Sequence, residues 1–209
     1  MRYIFIPIIL ICISVNGQKN IYLTDSSSKI NYDSIKFVLE QMYYIDQGLR
    51  EILEDSIGYD SHPKLFLSRM YTIDRINQND IEILLNKYGW LPKSRIGQKA
   101  SEGLYYVIQH SNLDLIEKYF PQLDRLAKIG EANKFDAATM EDRLLKWKGK
   151  KQKYGTQSDF INGRQAIWPI EFPDKVDSLR KTVGFKLTVN ENAKRLNSVY
   201  NPNEKLPEK

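Results

Sequence analysis

Asp46 and Arg50 stand four residues apart, an acid one helical turn before a base, on a segment whose apolar residues recur at steps of three and four. At about 100° per residue, Asp46 falls inside that apolar stripe, between Met42, Ile45 and Leu49. Asp74 and Asn77 repeat the pattern, sharing a face with Phe66, Met70 and Ile73. An unpaired buried carboxylate costs several kcal/mol, so two acids on two inward faces predict a shared polar centre that includes Arg50. His110 follows Gln109 at the end of another periodic segment, where the helix dipole favours a protonated imidazole. The chemistry open to this set is acid–base transfer by His110 with a carboxylate, Asp46 or Asp74, while Arg50 or Arg143 holds an anion.

A second polar group lies in Gln152-Lys153-Tyr154-Gly155-Thr156-Gln157. Asn162-Gly163 behind it is a strong hairpin signal. Strand alternation would put Gln152, Tyr154 and Thr156 on one face and Lys153, Gly155 and Gln157 on the other. Such a hairpin has too little apolar content to stand alone and must lean on the helices. Asp46, Arg50, Asp74, Asn77, Gln109, His110, Arg143, Gln152, Tyr154 and Gln157 are therefore expected to line one pocket, with Thr156 beside them.

The elements that would position these groups follow from periodicity and caps. Asp33 to Ile57 predicts one long helix, and a second runs from Pro63 to about Ile76. Asn79, with Glu82 three residues on, opens a third that stops at Tyr88-Gly89. Trp90-Leu91-Pro92 reads as a loop with a buried indole. Further helices are predicted from Ile96 to Gln109, from Asn112 to Phe120, from Pro121 to Gly130, and from Asp136 with Met140, Leu144 and Trp147 inward. Asp142 lies on the opposite side of that last helix, which is thus expected to be buried on two sides. Pro173 to Thr182 and Asn190 to Tyr200 complete the set. The expected fold is mainly α, a multi-helix orthogonal bundle with one β-hairpin inserted near residues 152–170. Residues 33–200 form one domain, between a flexible lead-in at 18–32 and a frayed tail at 201–209.

The first residues predict export. Arg2 precedes an apolar run from Tyr3 to Val15, and Val15-Asn16-Gly17 supplies small residues for cleavage before Gln18. The run is shorter than the roughly 20 residues of a membrane span and contains Pro7. Residues 1–17 are thus expected to be a signal peptide, leaving no stable membrane anchor and a periplasmic or extracellular location. Cys12, the single cysteine, would leave with the signal and remove thiolate chemistry and disulfides. The 31 basic and 26 acidic residues give a net charge of +5, and loss of Arg2 lowers it by one. The lysines around Trp147 and Tyr154 read as a solvated helix end, and no nucleic-acid partner is expected. There is no paired-histidine helix or Cys/His cluster, so no metal or cofactor is expected. No glycine-rich phosphate loop or Gly-x-Ser-x-Gly elbow is present either.

Asp46-Gln47 with Arg50, Asp74 with Asn77, Tyr88-Gly89-Trp90 with Pro92, Gln109-His110 and Asp142-Arg143 form a recognisable series. It continues through Gln152 to Gln157, Pro169-Ile170, and Val176-Asp177 with Arg180 and Gly184. On these residues the chain resembles a family of bacterial domains of unknown function, often exported. Leu91 separates Trp90 from Pro92 where proline commonly follows the tryptophan in that family. The resemblance implies no reaction. Three functions stay open: a binder of a small polar or anionic ligand, a hydrolase-like enzyme using His110 and a carboxylate, and a structural or interaction protein whose polar cluster locks the fold. Oligomeric state is left open.

Overall fold

The computed structural model describes residues 30–56 and 64–207. The expected signal peptide, most of the lead-in, and His62-Pro63 lie outside the described residues. The described chain is mainly α, with one two-stranded antiparallel hairpin. The helices are α1 (Tyr32–Ser56), α2 (Lys64–Tyr88), α3 (Lys93–Ile96), α4 (Gln98–Gln109), α5 (Leu113–Lys128), α6 (Lys134–Trp147), α7 (Val176–Thr182) and α8 (Val189–Arg195). Strands β1 (Ser158–Ile161) and β2 (Arg164–Ile167) lie between α6 and α7. None of the described helices is long and apolar enough to cross a membrane.

Two expected breaks are absent. The helices predicted at 63–76 and 79–88 are one helix, α2. Its inward face runs through Met70, Asn77, Ile81 and Leu84, so the Asn-rich stretch is a polar turn of one continuous stripe and not a cap. The helices predicted on either side of Pro121 are also one, α5. Ile116, Tyr119, Leu123 and Leu126 keep a single buried face across the proline. Pro121 itself is exposed, where the carbonyl it leaves unbonded can meet water. Asn112 caps α5 as expected, accepting from the Leu115 amide at 3.0 Å. The helix expected from Ile96 is instead the pair α3 and α4, broken at Gly97.

α4 is the centre of the fold. Ala100, Gly103, Leu104, Tyr105, Val107 and Ile108 are all buried. It packs most extensively on α1, through Ile35, Leu39 and Met42. Gly103 makes that approach possible: a Cβ there would stand 2.2 Å from the Leu39 carbonyl oxygen. Gly103→Ala is expected to cost about 3 kcal/mol in urea unfolding, since a backbone must move. A loss under about 0.5 kcal/mol would show that the two helices can separate freely.

The hairpin turns at Asn162 and Gly163, both with positive φ, as a two-residue primed turn requires. Its inner residues Ile161, Ala166 and Trp168 are buried. Val199 joins its edge, donating to the Gln165 carbonyl at 3.0 Å and accepting from the Ile167 amide at 2.9 Å. Within the segment expected to fray, Glu204 is buried and paired with Arg164.

Candidate functional site

The apolar stripe of α1 continues from Ile35, Leu39 and Met42 to Asp46, which is only 1 % exposed. Ile45, expected on that stripe, is turned outward. The buried carboxylate is paired on both oxygens. Its Oδ1 lies 3.0 Å from Arg50 and 3.0 Å from His110 Nδ1, and its Oδ2 accepts from Gln47 Nε2 at 2.7 Å. Burial pushes the Asp46 carboxyl up, but the hydrogen bond and charge of His110, with Arg50 and Gln47, outweigh it and hold the group below its ordinary value. The expected acid–base spacing at Asp46 and Arg50 is therefore a real pair, and α4 brings His110 to it.

Arg50 reaches a second acid, Asp74 of α2, at 3.1 Å. Asp74 thus accepts from Arg50, and it is Asp46 that pairs with His110. Asn77 is buried beside both acids, and its Nδ2 has no hydrogen-bond partner among the described residues. Tyr106, one turn before His110, stacks on the imidazole with centroids 5.9 Å apart. In the tautomer whose Nδ1 donates to Asp46, an uncharged imidazole would present Nε2 as an acceptor. His110 lines two neighbouring cavities.

Arg143, on α6, lines both cavities as well. It donates to the Gln109 carbonyl at 2.6 Å, and no carboxylate pairs with it among the described residues. Burial lowers its affinity for a proton, Tyr105 opposes that effect, and neighbouring Arg50 adds to it. The first cavity, about 640 Å³, also carries Gln109, Lys146, Trp147, Thr156, Gln157 and Arg195 on its wall. Lys146 is paired with Asp159, whereas among the described residues Arg195 bonds the Asn192 amide oxygen and no carboxylate. Gln109 is buried, and its Oε1 has no hydrogen-bond partner among the described residues.

The stretch 152–157 differs from expectation. It is a loop, not a strand, and the strands begin at Ser158. Asp142 organises it. This fully buried carboxylate accepts from the amides of Lys153, Tyr154 and Thr156 at 2.8 to 3.1 Å and from the Thr156 hydroxyl at 2.9 Å. Gln152 closes the loop from inside, donating to the Trp168 and Gln157 carbonyls and accepting from the Gln157 amide. Gly155 is required, with φ +68 and Val189 2.7 Å from where a Cβ would stand. Arg180 donates to the Tyr154 carbonyl at 2.6 Å and Asn192 to that of Gly155 at 2.9 Å, which fix the loop from the other side.

Four residues expected in the pocket are therefore elsewhere: Asp46 and Asn77 are buried beneath the two cavities and line neither, and Gln152 and Tyr154 lie apart from them. Gln152 is buried inside its own loop, because its amide replaces missing backbone partners. Tyr154 points away to a smaller cleft beside Lys134 and Glu141. Thr156 and Gln157 do reach the His110 cavity. Trp147, expected inward, is 42 % exposed and forms part of that wall. Reading the sequence missed Gln47, Tyr106, Lys146 and Arg195. Tyr106 has a signal, lying one turn before His110. Arg195 has none, because only the fold brings α8 to the cavity.

Fold and site define a mainly α protein with a buried carboxylate–histidine pair beside two arginines at an open cavity. The chain belongs to a family of unknown function, DUF6624, whose family model matches residues 34–204. No curated protein and no solved structure matches it.

Proposed function

We propose that the cavity beside His110 binds a small anionic ligand. The observation that carries this reading is Arg143, a half-buried guanidinium with a carbonyl partner and no carboxylate among the described residues. A cation partly withdrawn from water without a counter-charge is costly to hold, and a ligand's negative charge would offset that cost. Arg195 adds a second cation without a carboxylate, and the unpartnered Gln109 Oε1 offers an acceptor to the ligand's polar part. Arg50 is already held by two acids, so it orients more than it attracts. The expected export signal would place this binding outside the cytoplasm.

Calorimetric titration with inorganic phosphate and with succinate tests the reading. At least one is expected to bind, and Arg143→Ala is expected to weaken it about tenfold or more, whereas Lys128→Ala on a remote surface leaves it unchanged. Equal affinity of the Arg143→Ala protein and the parent removes the reading.

The Asp46–His110 pair favours a second reading, hydrolase-like acid–base chemistry on the bound anion. Asp46 would fix the tautomer, and His110 Nε2 would take or give the proton. On this reading His110→Asn abolishes turnover while ligand affinity stays; on the binding reading no turnover exists to lose.

A further inference from the structure

We propose that the anion bound here is internal to its ligand: a phosphodiester with a polar, ring-bearing substituent on each side. The proposal rests on the anion-binding reading and adds the ligand's class. Arg50, His110 and Arg143 line two cavities at once. One, about 640 Å³, extends toward Trp147, Thr156 and Gln157. The other, about 710 Å³, extends toward Tyr71, Gln78 and Asn112. A carboxylate or a phosphomonoester ends a molecule and carries one substituent, so it would fill one cavity and leave the other to water. A phosphodiester carries its charge in mid-chain and reaches into both.

Charge points the same way. Arg50 is neutralised by Asp46 and Asp74, which leaves Arg143 as the cation of this group without a carboxylate. A diester brings one negative charge to a group that already holds two carboxylates, where a monoester brings about two. Each cavity also has an aromatic ring open to solvent in its wall, Trp147 beside Arg143 in the first and Tyr71 in the second. Trp147 is 42 % exposed and Tyr71 64 % exposed. A flat substituent stacking on each would cover both, while Gln157 on one side and Gln78 with Asn112 on the other meet its polar edge.

The test is calorimetric titration of the protein with bis(4-nitrophenyl) phosphate, 4-nitrophenyl phosphate and inorganic phosphate. The diester is expected to bind about tenfold more tightly than the monoester, through its second ring. Tyr71→Ala and Trp147→Ala are each expected to reduce the diester to the monoester's affinity or below. Both side chains are exposed, and a urea-unfolding midpoint equal to the parent's verifies that the variants are folded. A monoester as tight as the diester, or a Tyr71→Ala protein that binds the diester undiminished, overturns the proposal while the anion site stands. If inorganic phosphate also fails to bind, together with both esters, the proposal falls along with the phosphate form of the anion reading.

Discussion

Asp142→Ala is expected to lower the unfolding free energy by about 4 kcal/mol. Asp142 is 0 % exposed and accepts three backbone amides and one hydroxyl. Alanine leaves four donors without that acceptor, at about 1–3 kcal/mol for each that stays dry. The total falls in the lower part of that sum, because a loop that is half-buried lets some donors find water. Asp142→Asn keeps one acceptor oxygen and is expected to lose roughly half as much. The loop also carries Thr156 and Gln157 to the cavity, so weakened anion binding accompanies the loss of stability. Urea unfolding measures the first effect and calorimetry the second. An unfolding free energy within about 0.5 kcal/mol of the parent would show that the loop is held by Gln152, Arg180 and Asn192 without the carboxylate.

Asp46→Ala is expected to cost about 3 kcal/mol, the range for breaking a buried ion pair from one side. Its removal strands Arg50 and His110 together, two potential cations with Asp74 as the remaining acid. Removing Arg50 as well relieves part of that repulsion. The double variant should therefore lose less than the two single losses combined, with a coupling of about 1 kcal/mol or more. Strict additivity would sink the pairing. The pH dependence has a definite sign. The Asp46 carboxyl is held below its ordinary value in the folded protein, so the unfolded chain binds the proton more readily. Its stabilisation is complete above the ordinary carboxylate range and is lost as pH falls through and below it. The parent should lose stability across that acid range more steeply than Asp46→Ala, and parallel curves would contradict the assignment.

Both predictions concern carboxylates on helix faces, yet the sequence revealed them to different degrees. Asp46 was legible because helical spacing alone puts it on the stripe of Leu39 and Met42, and burial then demands a partner. Arg50 one turn later supplied one. Periodicity likewise placed α1 and the inward face of α4, and the Asn162-Gly163 turn marked the hairpin, because these depend on the chain's own repeat. It failed at Asn79 and Pro121, where local signals for a helix boundary were overruled by a buried stripe continuing on the far side. Gln152, Tyr154 and Asp142 were beyond it for another reason. A loop has no period, so nothing local says that Gln152 will turn inward to bond its own backbone, or that Asp142 eleven residues earlier will collect its amides. The cost of burying polar groups apart did point to Asp46, His110 and Arg143 meeting, whereas the arrival of Arg195 belongs to the same class as the loop. Side-chain types and their helix faces are properties of the sequence, but which faces meet is decided by how α1, α4, α6 and α8 come together.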